Sequence, residues 1–382
     1  MESKKNILFI SHDGNRAGAQ IFLLNIMRYF KSKKYGVVLL ILNNWGTLRE
    51  DFETNFDTYY LDSENQGSKI KKIKELLGAK NNLLQEINKK YIIDLIYANT
   101  IASVGILEEV NTIFKKPIIS HIHELIFSIE QFGSIGCLEI LKSYSTKIIA
   151  CSKAVKENLI SKSIDFELKT TVVHSFVENE KILDIHRKEN VIKVKKEFGI
   201  DENCFLIGAC GNADWRKAPD VFLNIVKKVA SQTKNVKFIW VGVNKNDILF
   251  FQLCYDAKKL GIEKYIIWLP PTPKAISIIN ALDIFLVCSR EDPFPLVMLE
   301  AALCEKPIIG FKNTGGAEEF IEDDCGFTSS YLDIQSISQN IINLQKDPLM
   351  IVKMGKLAQI KVLKNYSFEN SIIKIEEIIQ SF

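Results

Sequence analysis

The chain has 382 residues, of which 47% are hydrophobic and 25% charged, and its formal net charge is +3. This length predicts two α/β domains, and the composition is that of a globular protein rather than a disordered chain. The small net charge and the lack of a basic run interleaved with aromatic residues exclude a typical nucleic-acid-binding protein.

Eight cysteines are scattered along the chain without a CxxC pair or a His/Cys cluster at metal-ligand spacing. We therefore expect buried free thiols in a reducing cytosol. The sequence contains no secretory signal pattern and no apolar stretch of about 18 residues that could cross a bilayer. We expect a cytoplasmic protein.

The first half alternates short aliphatic runs with helical patterns, which predicts a parallel sheet covered on both faces. The predicted helices are Ala19–Phe30, Ser68–Lys90 and Ile135–Tyr144. The predicted strands are Asn6–Ser11, Tyr35–Leu42, Thr58–Leu61, Ile93–Ala98, Pro117–His121, Lys147–Cys151 and Thr170–His174.

A charged stretch around ENEKILDIHRKENVIKVKKEFGIDEN separates this half from a second α/β series and is interpreted as an interdomain connection. The strands predicted after it are Phe205–Ala209, Lys237–Val241, Ile266–Leu269, Ile284–Cys288 and Pro307–Gly310. We predict an N-terminal domain over 1–178, a linker over 179–200, a second domain over 201–365 and a C-terminal helix over 366–382. Rossmann-like domains of this kind bind ligands at the carboxyl ends of their strands.

The segment CSREDPFPLVMLEA predicts a strand, a loop and a helix with two carboxylates on one pocket wall. Asp292 lies in the loop, Pro295 suits the first helical position, and Glu300 follows roughly 7–8 Å along the helix. A carboxylate in so apolar a helix is costly to bury without partners, and the paired hydroxyls of a ribose would satisfy both of its oxygens. The alternative is a surface ion pair between Glu300 and a lysine.

Two further loops in this half predict an anion-binding site. In GFKNTGGAEEFI, Gly315 and Gly316 begin a helix and are expected to leave N–H groups bare, although a tight turn is the alternative. In FLIGACGNADWRKAPD, Arg216 and Lys217 can reach a diphosphate. GACGNA departs from GxGxxG, and no acidic residue stands at the ribose position about twenty residues on, so a nicotinamide cofactor is disfavoured.

The first domain carries polar residues at two predicted strand ends. HDGNRAGAQ follows the first strand, and its glycines Gly14 and Gly18 let the backbone approach a ligand. HIHE places His123 and Glu124 at a second strand end, where a packed core histidine is the alternative. HIHE lacks the spacing of a zinc site.

Together these segments resemble the GT4-type family of retaining glycosyltransferases, the glycosyl transferases group 1, from NILFISHDGNRAGAQIFLLN to MGKLAQIKVLKNYSFEN. The resemblance implies the GT-B fold: two Rossmann-like α/β domains facing across a cleft, with the C-terminal helix crossing back to the first domain. Ser175–Phe176 stands where the family has Asn-Gly before the linker.

The motif DPFPLVMLE resembles the family's two glutamates separated by seven residues. The resemblance implies that Glu300 bonds the nucleotide ribose. It also implies that Asp292, one methylene shorter than the family's glutamate, contacts the donor sugar, with Glu291 as a substitute. HIHE resembles the family segment whose histidine sits near the reacting sugar, which maps onto His123.

The family's phosphate-binding Arg/Lys pair maps onto Asn212 and Lys217, and Arg216 is expected to supply the charge that Asn212 lacks. The implied catalytic residues are His123, Asp292 and Glu300. The implied donor-binding residues are Gly18, Arg216, Lys217, Glu291, Phe294, Pro295, Leu296, Gly315 and Gly316.

The resemblance implies an enzyme that moves a hexose or N-acetylhexosamine, with retention, from a UDP- or GDP-sugar to a glycan or lipid-linked glycan in bacterial surface polysaccharide synthesis. Without a DxD motif after a strand, no metal or other cofactor is expected. The alternatives are a nucleotide-sugar epimerase and an inactive nucleotide-sugar-binding subunit. The basic pattern of Ser68–Lys90 predicts either a peripheral contact with the inner membrane leaflet or a solvated helix face.

Overall fold

Two parallel β-sheets interleaved with helices build the protein in a computed structural model that describes residues 5–62, 82–184 and 188–382. The chain divides into two units, the first made of Met1–His174 with Ile372–Phe382 and the second of Ser175–Ser371. This confirms the predicted α/β class with two parallel sheets and the return of the C-terminal helix to the first unit.

The first unit contains a seven-stranded sheet of order β3-β2-β1-β4-β5-β6-β7. Its strands are β1 Asn6–Ser11, β2 Gly36–Ile41, β3 Asp57–Tyr60, β4 Leu95–Asn99, β5 Ile118–Ile122, β6 Lys147–Ala150 and β7 Thr170–Val172. All seven predicted strands are present. Every residue of β4 and β5 is buried, which explains why neither strand alternates regularly between apolar and polar residues.

The helices of this unit connect the strands and form its flanks. They are α1 Gly18–Ser32, α2 Arg49–Asn55, α3 at residues 82–90, a 3₁₀ turn at Ile101–Ile106, α4 Leu107–Phe114, α5 Ile126–Phe132, α6 Cys137–Tyr144, α7 Lys153–Lys162 and α8 Phe166–Lys169. The predicted helix Ser68–Lys90 lies outside the described residues up to position 81.

The second unit contains a six-stranded sheet of order β10-β9-β8-β11-β12-β13. Its strands are β8 Phe205–Cys210, β9 Val236–Val241, β10 Ile266–Leu269, β11 Ile284–Val287, β12 Ile308–Phe311 and β13 Gly326–Ser329. The last strand was not predicted from the sequence, because its four residues, GFTS, carry only one large apolar side chain.

The stretch interpreted as a linker, 179–200, contains two of the second unit's helices. The helices here are α9 Asn179–Leu183, α10 Lys188–Glu197, α11 Pro219–Ala230, α12 Ile248–Leu260, a 3₁₀ turn at Glu263–Tyr265, α13 Ala275–Asn280, α14 Leu296–Leu303, α15 Gly316–Ile321, α16 Ile334–Gln345 and α17 Pro348–Asn365. In the part of the chain that the structure describes, none of the helices is long and apolar enough to span a membrane.

The final helix, α18 Phe368–Gln380, follows the predicted break near Tyr366–Ser367. Ile375 and Ile379 are fully buried. The hydroxyl of Tyr29 on α1 donates to the Glu376 carboxylate at 2.6 Å. These contacts tie the end of the chain to the first unit.

Candidate functional site

Each sheet has one point where the strand order reverses, between β1 and β4 in the first unit and between β8 and β11 in the second. At such a point the loops leave adjacent strands in opposite directions and open a crevice at the carboxyl ends, where ligands of α/β proteins bind. Several predicted site residues lie in or next to the loops after these strands: Gly18 follows β1, Lys217 follows β8, and Asp292 follows β11.

In the second unit, Lys217 and Asp292 form an ion pair at this crevice. The Lys217 ammonium donates to the carboxylate of Asp292, which is 6% exposed and also accepts from the Ser289 hydroxyl at 3.3 Å. The Lys217 amide donates to Asp214 at 2.8 Å. The side chain of Lys217 runs past Gly211, where φ is +144° and an added Cβ would lie 3.2 Å from Lys217 Cε. The sequence placed both Lys217 and Asp292 in one site but did not pair them.

The backbone of Asp292 forms an isolated parallel bridge with the glycine loop. Its amide donates to Thr314 at 2.7 Å, and the Gly316 amide donates to its carbonyl at 3.1 Å. The expectation that the Gly316 amide lies bare for an anion is therefore wrong, because the bridge uses it. Gly315 has a φ of +127°, so the turn needs glycine here. An added Cβ at Gly316 would lie only 2.3 Å from the ring of Phe294.

Glu300 projects from α14, which begins at Leu296 with Pro295 as its N-cap, one residue later than predicted. Its carboxylate is half-buried, and desolvation raises its pKa to about 7. Burial, followed by the negative charge of Glu300, raises the pKa of the Cys210 thiol at the end of β8 to about 12. No hydrogen bond or ion pair within residues 5–62, 82–184 and 188–382 satisfies the Glu300 carboxylate. The alternative of a surface ion pair is thus wrong.

The remaining predicted residues of this motif are largely packed. Glu291 and Phe294 are 7% and 5% exposed, and the Phe294 ring lies 5.4 Å from that of Tyr366. A cavity of about 10 Å³, the size of one water, is lined by Lys217, Asp292 and Pro295 among others.

Arg216 points toward Asp214, with 3.4 Å between guanidinium and carboxylate. Arg290, which follows β11, was not predicted as a site residue. It donates to both oxygens of Asp220 at 2.9 and 2.6 Å and lies over the Trp215 ring at 5.3 Å. Its amide donates to the Arg216 carbonyl at 2.7 Å, so the loops after β8 and β11 are joined. The sequence signal that could have identified Arg290 is its position as a charged residue shortly after a buried strand.

In the first unit, His123 follows β5, as predicted. Its Nε2 lies 2.9 Å from Asn99 Oδ1, and its ring stacks on that of His121 at 4.2 Å. Burial, followed by the nearby His12, lowers the pKa of His123 to about 3, so the ring is neutral at pH 7. Gly18 opens α1 in the same unit and is exposed.

A polar network that was not predicted from the sequence surrounds this histidine. His12, after β1, has its Nδ1 2.8 Å from the Thr100 hydroxyl and its Nε2 3.1 Å from the Gln20 amide nitrogen. Burial lowers the pKa of His12, and Asp13 partly opposes this. Asp13 is 6% exposed and accepts from Gln20 and from the Trp45 indole at 3.2 Å. The sequence signal that could have predicted this network is the polar residues at the ends of two buried strands, in FISHD and YANT.

Thr100 adopts φ +74° and ψ +158°, a conformation almost restricted to glycine. Its amide donates to the His121 carbonyl at 2.8 Å. Glu124 holds the neighbouring backbone, since its carboxylate accepts from the amides of Ile101 and His123 at 3.0 and 2.9 Å. Hydrogen bonds to His121 and Glu124 thus hold the strained backbone in place next to His123.

Across the described ranges, no three His, Cys, Asp or Glu side chains are placed to hold a metal ion.

Residues 190–361 match the family model described as glycosyl transferases group 1. The chain is 26% identical over 207 residues to an N-acetyl-alpha-D-glucosaminyl L-malate synthase of Bacillus anthracis, covering 54% of this chain and 52% of that protein. It is 26% identical over 293 residues to the O-antigen biosynthesis glycosyltransferase WclY of Escherichia coli, covering 72% and 76%. The chain thus spans about half the length of the first of these relatives.

The fold is also found in a solved structure of HepE from Anabaena in complex with UDP and glucose. The TM-score is 0.83 at 20% identity, covering 99% of this chain and 100% of that one.

Proposed function

We propose that this chain transfers a hexose or N-acetylhexosamine from a nucleotide-diphosphate sugar to a glycan acceptor, because residues 190–361 match the glycosyl transferases group 1 model and the sequence resembles that family. We propose a bacterial surface polysaccharide or glycolipid as the product. The relatives named for O-antigen synthesis and for sugar transfer to malate support this class of reaction.

The observation that carries the proposal is the unsatisfied Glu300 carboxylate beside the Lys217–Asp292 pair. Desolvating a carboxylate without donors is costly, desolvation already raises the pKa of the half-buried Glu300, and a ribose would supply two hydroxyl donors to it. Glu300 raises and Lys217 lowers the pKa of the Cys210 thiol, so a carboxylate that can accept hydrogen bonds and an ammonium group both lie near the end of β8. We assign the nucleoside to Glu300, the diphosphate to Lys217 with Arg216, and the donor sugar to Asp292.

We propose a retaining reaction. The bond between the anomeric carbon and the diphosphate oxygen breaks, and the acceptor oxygen bonds to that carbon on the same face. The departing phosphate oxygen takes the acceptor proton. Lys217 stabilises the charge that develops on the diphosphate, and no metal ion is needed. We assign His123 to the sugar as a neutral hydrogen-bonding group.

A thermal-shift screen against UDP-, GDP- and ADP-sugars tests the donor class, because a ligand at 100 times its Kd adds about 2.7 kcal/mol to stability. Incubation of the stabilising donor with lipid-linked and free glycans, followed by mass spectrometry and NMR of the new linkage, tests transfer and retention. Conversion of the donor without acceptor would indicate an epimerase, and binding without turnover an inactive subunit. An inverted linkage, or a product only with a metal, would overturn the mechanism.

A further inference from the structure

Asn99, the last residue of β4, is fully buried and connects the two sequence segments predicted for the first unit's site. Its amide nitrogen donates to the Ala19 carbonyl, in the glycine loop and first turn of α1, at 3.1 Å. Its amide oxygen lies 2.9 Å from Nε2 of His123, in the HIHE segment. Asn99 thus contacts both segments through opposite ends of one amide.

These two contacts determine which ring nitrogen of His123 carries the hydrogen. Since a backbone carbonyl only accepts, the Asn99 atom facing Ala19 is the NH₂ group, and the atom facing His123 is the oxygen. An amide oxygen also only accepts, so Nε2 of His123 carries the hydrogen. In a neutral imidazole, Nδ1 is then without one.

The same reasoning gives the opposite result for His12. The Gln20 NH₂ group faces both the Asp13 carboxylate and Nε2 of His12, so this Nε2 is an acceptor. Nδ1 of His12 then carries the hydrogen and donates to the Thr100 hydroxyl, 2.8 Å away. Two neighbouring histidines are held in opposite tautomers by neutral amides.

We infer that Asn99 is a positioning residue that holds His123 as its Nε2-protonated tautomer, so that the ring meets substrate through Nδ1 as a hydrogen-bond acceptor. The functional part of this inference rests on the proposed sugar transfer, in which a sugar hydroxyl is the donor that Nδ1 would accept from. The tautomer itself does not depend on that function.

The test is long-range ¹⁵N–¹H NMR of histidine-labelled protein at pH 7, combined with steady-state kinetics. The chain has only five histidines, so assignment by single substitution is practical. We expect the Nε2–H pattern for His123 and the Nδ1–H pattern for His12. Asn99→Asp keeps the acceptor and should keep the His123 pattern, whereas Asn99→Leu removes it and should give a tautomer mixture. We expect kcat of the leucine variant to fall about 100-fold with the donor KM nearly unchanged.

Ser103→Ala is the matched control, because the Ser103 hydroxyl donates to the backbone carbonyl of the same Asn99 at 2.7 Å. It should lower Tm but leave the tautomer and kcat unchanged. An Nδ1–H pattern for His123 in the wild type would overturn the inference even if no variant folds. An unchanged pattern in a folded Asn99→Leu variant would also overturn it, as would a lost pattern with unchanged kcat. If the wild type transfers no sugar, the proposed function fails, while the spectrum still decides the tautomer.

Discussion

Lys217 and Asp292 are 75 residues apart in sequence, yet their side chains form an ion pair in which they are 18% and 9% exposed. From the sequence, Lys217 is predicted to contact the donor's phosphate and Asp292 its sugar. In the proposed function, an incoming diphosphate would have to compete with Asp292 for the Lys217 ammonium. The proposal therefore predicts that ligand binding and the Lys217–Asp292 ion pair are coupled.

This competition predicts opposite effects for the two partners. Lys217→Ala should weaken nucleoside diphosphate binding about 10–100-fold, because a charge-assisted hydrogen bond is lost. Asp292→Asn should strengthen binding of the diphosphate without its sugar, because the ammonium is released. Isothermal titration calorimetry measures both, and Lys227→Ala, an exposed lysine in the last turn of α11, is the control. Equal affinities in all four proteins would place the phosphate elsewhere.

Glu300→Gln should change how stability depends on pH. Burial raises the pKa of Glu300 from 4.5 to about 7, so the folded state binds more protons than the unfolded state between these values. The contribution of Glu300 to stability is therefore complete below pH 4.5 and is lost as pH rises through about 7. Glutamine never ionises, so near pH 8 the free energy of unfolding of the variant should exceed that of the wild type by up to about 3 kcal/mol.

Urea unfolding at pH 5 and pH 8 measures this difference, because background titrations cancel between the two proteins. A gain that is the same at both pH values would contradict a raised Glu300 pKa.

Gly316→Ala should destabilise the second unit. The added Cβ would meet the Phe294 ring at 2.3 Å and the Pro293 carbonyl at 2.6 Å, and neither can move without disturbing the bridge at Asp292. Overpacking of this kind costs about 1–3 kcal/mol. In Gly310→Ala, on β12, the added Cβ would have its nearest neighbours at 3.4 Å, and this control should be close to neutral. Urea denaturation that ranks the two variants equally would contradict the packing at Gly316.

The proposed charge stabilisation by Lys217 and Arg216 predicts that EDTA leaves the transfer rate unchanged. The measurement is an initial rate with and without chelator, after dialysis against it. A large fall that Mg²⁺ or Mn²⁺ restores would show that a metal ion takes part.

Much of the fold was predictable because both faces of each parallel sheet are buried. A strand such as β1, NILFIS, then contains a short apolar run, ILFI, that differs from the amphipathic helices between the strands. Short elements without such a contrast were missed, including β13 and α8, which has only four residues. Their position depends on pairing and packing rather than on a local period.

The candidate site was predictable where chemistry and position coincide. Glu300 stood out as one carboxylate in an apolar helix, and the structure leaves it unsatisfied among the described residues. The Gly316 amide was misjudged because its bond to Asp292 depends on the register of two loops. Asn99 and His123 are 24 residues apart, and their hydrogen bond depends on the pairing of β4 with β5, which no sequence period encodes.

A crystal structure of this protein with the nucleotide sugar that stabilises it tests the central claim most directly. We predict that the two ribose hydroxyls lie within hydrogen-bonding distance of the Glu300 carboxylate and that the Lys217 ammonium contacts the diphosphate. A nucleotide bound away from α14, with Glu300 still unsatisfied, would contradict this account.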